Sequence, residues 1–240
     1  MIKAILFDMD GTLIENSMET FLPSYFGALS KKLAHLVAPD KLIAQLRAST
    51  QTMMNNQDAT RTLAQVFTDD FFPKLGAPRE QVEPLLDDFY AREYRDLRAF
   101  TRRVDGAQEV VARAFELRRQ VVIATGPFFP LTALTQRLDW GGLANFPYAF
   151  ITSFETMHAC KPHAAYYREI AARLQVPPTE CVMVGNDVAM DIAPARRAGM
   201  KTFWITDAGM IPTDVSADWR GSLAHFGELL ERGIVGHAGE

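Results

Sequence analysis

Two aspartates stand two residues apart in Asp8-Met9-Asp10-Gly11-Thr12, directly after the apolar run Ile2–Phe7. Buried and charged together, their carboxylates would repel, so a site built on them requires a cation or a shared proton. A hard divalent ion such as magnesium, bound through carboxylate and carbonyl oxygens, meets that requirement. Gly11 permits a tight turn and a close backbone approach to an anion such as phosphate, and Thr12 adds a hydroxyl donor. Taken alone, the same residues also make an ordinary surface turn after a strand. The rest of the chain decides against that simpler reading.

Further short apolar runs end in polar residues of possible chemical use. Val121–Ala124 precedes Thr125, and Tyr148–Ile151 precedes Thr152 and Ser153. Cys181–Val184 precedes Gly185, Asn186 and Asp187, and Thr202–Ile205 precedes Thr206 and Asp207. Continuous runs of this length read as strands buried on both faces, as in a parallel sheet. Helical segments separate them. Val110, Val111, Ala114, Phe115 and Leu117 recur at helical spacing, and Pro162 is placed for the first turn of a helix carrying Tyr166, Ile170, Ala171 and Leu174. Ala193–Ala198 leads to Gly199 as a helix stop. Strand and helix in alternation predict an α/β, doubly wound, Rossmann-like parallel sheet. Ligands of such sheets bind beyond the carboxyl ends of the strands, where Asp8, Thr125 and Asp187 fall.

Between Ile14 and Phe100 the texture changes. Phe21, Tyr25 and Leu29 repeat at four-residue spacing, as do Leu42 with Leu46, Leu63 with Phe67, and Val82, Leu86 and Tyr90. No period-two stretch stands out, so this is read as an all-helical insertion of about 80 residues, too long for an ordinary connection. The expected division is a core domain of residues 1–15 and 101–240 with a helical cap domain of residues 16–100. Ala208 to Trp219 reads as loop, Leu223, Phe226, Leu229 and Leu230 as a last helix, and Gly236–Glu240 as a fraying end.

The chain of 240 residues is 48% hydrophobic and 22% charged, with a net charge of −4. That balance argues against a nucleic-acid partner, which needs a basic face. No apolar run has the length of a membrane span, and the first residues lack a signal-peptide core. The expectation is a cytoplasmic protein, monomeric or a small homo-oligomer. The 2 cysteines, Cys160 and Cys181, are too few for a disulfide framework or a sulfur-based zinc site. Cys160 lies among His158, Lys161 and His163, but with no second ligand pair it reads as a small buried thiol.

These residues resemble the haloacid dehalogenase-like (HAD) superfamily. Its first motif, Asp-x-Asp-x-Thr after the first strand, is matched by Asp8-Met9-Asp10-Gly11-Thr12. Its second, a Ser or Thr ending an apolar strand, is matched by Thr125, its third, a Lys before a helix, by Lys161, and its fourth, an acidic pair after a further strand, by Gly185-Asn186-Asp187 with Asp191. Alone, Lys161 reads as a solvated helix start and Thr125 as a strand end; their order and spacing relative to Asp8 carry the assignment. The position of the insertion resembles the helical-cap branch, and the stretch from Thr125 to Lys161 is too short for a second cap.

The resemblance implies roles. Asp8 attacks phosphorus, and Asp10 is general acid and then base. Thr12, Gly11, Thr125, the Gly126 amide, Asn16 and Lys161 contact the substrate, and Mg²⁺ is bound among Asp8, Asp10, Asn186, Asp187 and Asp191. The fourth motif departs from the usual Gly-Asp. Counting back from Asp191 by five makes Asn186 the metal ligand, counting by four makes it Asp187, and Asp187 is favoured, supported by Asp191 through water or Lys161. Asp10 implies phosphate-ester chemistry, because haloacid dehalogenases lack that second aspartate. A small phosphorylated metabolite is the expected substrate of a phosphatase. A sugar phosphomutase of the β-phosphoglucomutase type and a non-catalytic phosphoryl-binding regulatory domain are the alternatives. Glu15, Arg47, Arg61, Arg102 and Arg103 are candidate contacts or hinge residues.

Overall fold

A computed structural model describes residues 1–206 and 216–233. In chain order β1 (Ala4–Phe7) leads through the Asp8–Thr12 turn to β2 (Ile14–Asn16), then α1 (Met18–Leu33), α2 (Pro39–Met54), α3 (Leu63–Leu75) and α4 (Arg79–Ala91). A 3₁₀ segment, Glu93–Phe100, brings the chain back to β3 (Thr101–Arg103). There follow α5 (Ala107–Glu116), β4 (Gln120–Ile123), α6 (Leu131–Gly141), β5 (Phe150–Ile151), α7 (Ala164–Leu174) and β6 (Cys181–Gly185). The last elements are α8 (Ala193–Arg197), β7 (Lys201–Ile205), β8 (Trp219–Gly221) and α9 (Leu223–Glu231).

Among the described residues these strands form a 6-stranded sheet in the order β5-β4-β1-β6-β7-β8, with every pairing parallel. Strand side chains alternate between its faces. Ile5, Phe7, Val121, Ile123, Val182 and Val184 pack with Val110 and Val111 of α5 and Phe226 of α9. Ala4, Leu6, Val122, Cys181 and Met183 pack the other way, against Tyr166, Ile170 and Ala171 of α7 and Ala195 of α8. Both faces are therefore dry, which is why the strands read as unbroken apolar runs. The α/β doubly wound expectation is met.

The central position of β1 matters most for the site. Phe7 pairs in register with Ile123 on one side and Val184 on the other. The chain therefore leaves β1, β4 and β6 at one edge of the sheet, carrying Asp8, Thr125 and the Gly185–Asp191 segment with it.

The insertion is helical, as its spacing predicts, and it begins and ends in an antiparallel ribbon that the periodicity does not reveal. Ile14 lies opposite Arg103, Glu15 opposite Arg102 and Asn16 opposite Thr101. Local chemistry delimits the helices. Thr62 and Gln65 close a capping box at the start of α3, and Gly76, in the left-handed region, ends it. The buried side chains of the insertion merge with those of the sheet. Phe21 and Tyr25 of α1 meet Tyr94 and the Phe129 ring in a cluster of edge and face contacts, and Tyr94 stacks on Trp140 of α6. On the other side, the Leu63 and Ala64 amides donate to the Met157 and Phe154 carbonyls.

Several details depart from the sequence reading. Pro162 precedes α7 rather than lying in its first turn, because His163 takes the N-cap place. A π-helical turn, Val188–Ile192, runs into α8. α6 and the edge strand β8 are additional, the latter at the end of the expected Ala208–Trp219 loop. Asp207, most of that loop and Gly236–Glu240 lie outside the described residues.

Phe21 is fully buried in the aromatic cluster. Replacing it by alanine removes that burial and leaves a cavity that aromatic neighbours fill poorly. Phe21→Ala is expected to cost about 3–5 kcal/mol in chemical denaturation.

Candidate active site

The first motif leaves β1 as a compact turn. The Leu13 and Ile14 amides both reach the Met9 carbonyl at 3.0 Å, and the Gly11 amide returns to the Ile14 carbonyl at 2.8 Å. Gly11 has φ 77°, and a Cβ there would stand 2.5 Å from Asn186 Nδ2. Glycine is thus required by conformation and by space. The Thr12 hydroxyl is buried and donates to Asn186 Oδ1 at 3.3 Å, so it ties the first motif to the fourth.

Lys161 is the hub. Its side chain is 2% exposed, and Nζ donates to Asp8 Oδ1 at 2.7 Å and to Asp191 Oδ1 at 2.6 Å. Burial alone would depress this ammonium, but Asp191 and Asp8 together hold its pKa well above the ordinary lysine range. Burial and the charge of Asp8 push the Asp191 carboxyl up to about 7 against the pull of Lys161. The other oxygen of Asp191 accepts from the Asp187 amide at 3.1 Å. That carboxylate lies against Gly185, where a Cβ would meet Oδ2 at 2.3 Å. Gly185 is what lets Asp191 come in from the side.

Asp187 has a separate task. Its Oδ1 accepts from the Ala189 and Met190 amides at 2.8 and 3.0 Å, capping the π-helical turn. The cap uses Oδ1 alone, and Asp187 still lines the cavity above Asp8. The Asn186 carbonyl is held by the Trp204 indole at 3.0 Å. On the β4 side, the Thr125 carbonyl accepts from Thr152 Oγ1 at 2.9 Å and from the Tyr166 hydroxyl at 2.7 Å. Those bonds fix the backbone that presents the Thr125 hydroxyl and the Gly126 amide.

Asp10 is held by a partner that the sequence reading missed. Its Oδ1 accepts from Asn16 Nδ2 at 3.2 Å and is ion-paired to Nη2 of Arg137 on α6. Burial raises the Asp10 carboxyl above the usual range, Arg137 opposes that rise and Asp8 adds to it. Arg137 is 1% exposed and lies across the Phe21 and Phe129 rings at 5.2 and 6.0 Å. A signal was present: Ala133, Leu134, Leu138 and Gly141 form the buried stripe of α6, and Arg137 occupies a place in that stripe. A charge on an apolar face requires a partner.

The cavity holds about 310 Å³ and brings together Asp8, Asp10, Gly11, Asn16, Thr125, Gly126, Lys161, Asn186, Asp187 and Asp191. Thr12 is buried and is not part of that lining. Other candidates fall elsewhere. Arg47 covers the Phe26 ring, Arg61 pairs with Asp69, and Glu15, Arg102 and Arg103 belong to the ribbon. Cys160 is a buried thiol that burial raises to about 12, and His158 pairs with Glu169 at 2.9 Å.

The family model of the haloacid dehalogenase-like hydrolases matches residues 2–199. The chain belongs to that family. This hydrolase is similar to a phosphoglycolate phosphatase of Xylella fastidiosa, 28% identical over 200 residues, covering 82% of this chain and 77% of the relative. It is equally similar to a glyceraldehyde 3-phosphate phosphatase of Methanopyrus kandleri, 28% identical over 222 residues, covering 84% and 83%. Its fold is shared with the crystal structure of a 2-haloacid dehalogenase from Pseudomonas syringae pv. Tomato, with a TM-score of 0.66, 21% identity and coverage of 97% and 99%. No helix among the described residues is long and apolar enough to cross a membrane.

Removing Lys161 from this hydrolase would leave Asp8 and Asp191 facing each other without a cation. Lys161→Met is expected to lower stability by about 3–5 kcal/mol in urea titrations near neutral pH.

Proposed function

We propose that this chain is a phosphatase that hydrolyses small phosphomonoesters through an aspartyl-phosphate on Asp8. The observation that carries the reading is the Lys161 ammonium bridging Asp8 and Asp191 at 2.7 and 2.6 Å on the floor of a cavity that Asp10 and Thr125 also line. The two curated relatives are both named as phosphatases, but of different substrates. Their names support the reaction class and leave the substrate open.

In this reading Asp8 attacks phosphorus in line with the departing ester oxygen. Asp10 gives its proton to that oxygen as the P–O bond breaks, and then takes a proton from the water that cleaves the aspartyl-phosphate. Burial favours the protonated form that the first step needs. Lys161, the Thr125 hydroxyl and the Gly126 amide stabilise the equatorial oxygens. The helices of residues 16–100 act as the cap. Met18 of α1 and the Phe128 and Phe129 side chains shelter the site from water.

The donor set of the site is all oxygen, which fits magnesium and no soft metal. Asp8 and Asp187 would hold it through carboxylate oxygens and Asp10 through its backbone carbonyl, which leaves the Asp10 carboxyl to carry a proton. Asp191, engaged by Lys161 and the Asp187 amide, positions the fourth motif instead. When bound, the ion supplies positive charge that offsets the carboxylates facing a phosphate dianion.

Phosphate release from a panel of phosphomonoesters is the direct test. Release is expected to require magnesium, to stop with chelator, and to fall by roughly a thousandfold or more in Asp8→Asn. Persistence of activity in that variant overturns the nucleophile assignment. Magnesium binding, followed by calorimetry as well as by activity, separates the two registers of the fourth motif. Asp187→Asn, which keeps the capping oxygen, is expected to weaken binding about tenfold or more, and Asn186→Ala to weaken it less. The reverse order makes Asn186 the ligand.

A further inference from the structure

The two carboxyl oxygens of Asp10 have different surroundings. Oδ1 accepts from Asn16 Nδ2 at 3.2 Å and is the oxygen that meets Arg137 Nη2. Among the described residues no donor reaches Oδ2, since Asn16 and Arg137 are the side chains that hydrogen-bond to this carboxyl. The Asp10 side chain is 23% exposed and lines the cavity, whereas Arg137 behind it is 1% exposed. The carboxyl is thus held from the protein side through one oxygen and left free at the other.

Arg137 is too deeply buried to meet a leaving group, but it is well placed to meet charge on Asp10. Among the described residues Asp10 is its one acidic partner. The guanidinium is also fixed, because the Phe21 and Phe129 rings flank it with centroids at 5.2 and 6.0 Å and α6 carries it on a buried stripe. A guanidinium binds a carboxylate much more strongly than a neutral carboxyl. When Asp10 gives up a proton, negative charge appears on a group whose Oδ1 already faces Arg137. That interaction is stronger in the transition state than before it, which is the condition for accelerating a step, and a fixed donor needs no rearrangement to supply it.

From this arrangement we infer that Arg137 is a positioning residue for proton transfer, holding Asp10 by Oδ1 so that Oδ2 faces the ester oxygen. The inference rests on the phosphatase reading above, and it names the oxygen that works and the residue that supports it. The Oδ2–H bond breaks as the P–O bond does. The ester oxygen keeps the P–O electron pair and takes the proton, so the alcohol leaves neutral and Asp10 remains as a carboxylate against Arg137. Water then attacks the aspartyl-phosphate, returns a proton to Oδ2 and frees Asp8. The contribution of Arg137 therefore depends on the leaving group. An alkyl ester without a proton would leave as a strongly basic alkoxide, whereas a nitrophenyl ester leaves as a stabilised phenolate that needs little help.

The test compares kcat/KM for ethyl phosphate and para-nitrophenyl phosphate in the unaltered enzyme, Arg137→Met, Arg137→Lys and Asp10→Asn. Asp10→Asn sets the scale and is expected to lower ethyl phosphate turnover by about a thousandfold, and the nitrophenyl ester far less. In Arg137→Met, ethyl phosphate is expected to fall by about a hundredfold and the nitrophenyl ester to stay within about fivefold. Arg137→Lys keeps the charge but not the planar fork, and its ratio is expected to lie between. A merely structural role would lower both esters alike, so the ratio is the readout. Equal losses on the two esters in the arginine variants overturn the inference. Should the methionine variant fail to fold, the lysine variant decides by the same ratio. If Asp10→Asn shows no difference between the esters, or the unaltered enzyme releases no phosphate, the phosphatase reading itself falls and this inference falls with it.

Discussion

Two carboxylates that share one lysine beyond the end of β1 impose the constraint that the rest of the molecule satisfies. Asp8 and Asp191 are both nearly inaccessible to water, and Lys161 touches each of them. Two charges in contact at intermediate dielectric interact by about 4 kcal/mol, so an unmatched carboxylate here would outweigh many favourable surface contacts. The match is made by chain segments far apart in sequence. Asp8 arrives on β1, Asp191 beyond the neighbouring β6, and Lys161 on the loop that enters α7. Their convergence depends on β1 lying between β4 and β6 in register. Gly185 lets Asp191 lie close to the strand end, and Gly11 leaves room for Asn186. The fold is thus arranged so that oppositely charged groups bury together.

A second charge pair ties the site to the insertion. Arg137 pairs with Asp10 and lies against Phe21 of α1 and Phe129 of the loop after β4. The same rings belong to the aromatic cluster that joins α1 to Tyr94 and Trp140. Packing in the helices and the placing of the Asp10 carboxyl are consequently one structural problem. A shift of α1 would move the rings under which the guanidinium lies. At the opposite side, backbone hydrogen bonds from Leu63 and Ala64 to the Met157 and Phe154 carbonyls anchor α3 close to the loop that carries Lys161. The helices therefore contact the rest of the chain on two sides, and of their side chains it is Met18, not a charge, that lines the cavity.

What the sequence by itself determined follows from local physical chemistry. Parallel strands buried on both faces must be continuously apolar, and β1, β4, β6 and β7 are. Helices with one dry face repeat at three to four residues, as Phe21, Tyr25 and Leu29 do. The residues of the four motifs lie at strand ends and loops, where their order along the chain survives folding, so Asp8, Asp10, Thr125, Lys161 and Asp191 stand out in the sequence itself. Tertiary structure decided what depends on partners distant along the chain. The short ribbon of β2 and β3 exists because two strands of three residues find each other across the whole insertion, a pairing without local periodicity. The partners of Asp187, Asn186 and Thr12 depend on which way each side chain turns in a crowded edge. Arg137 is the plainest case. Its sequence shows a charge in an apolar stripe, and only the packing of α6 beneath the Asp8–Thr12 turn, where burial makes an unpaired charge untenable, shows that the charge answers Asp10.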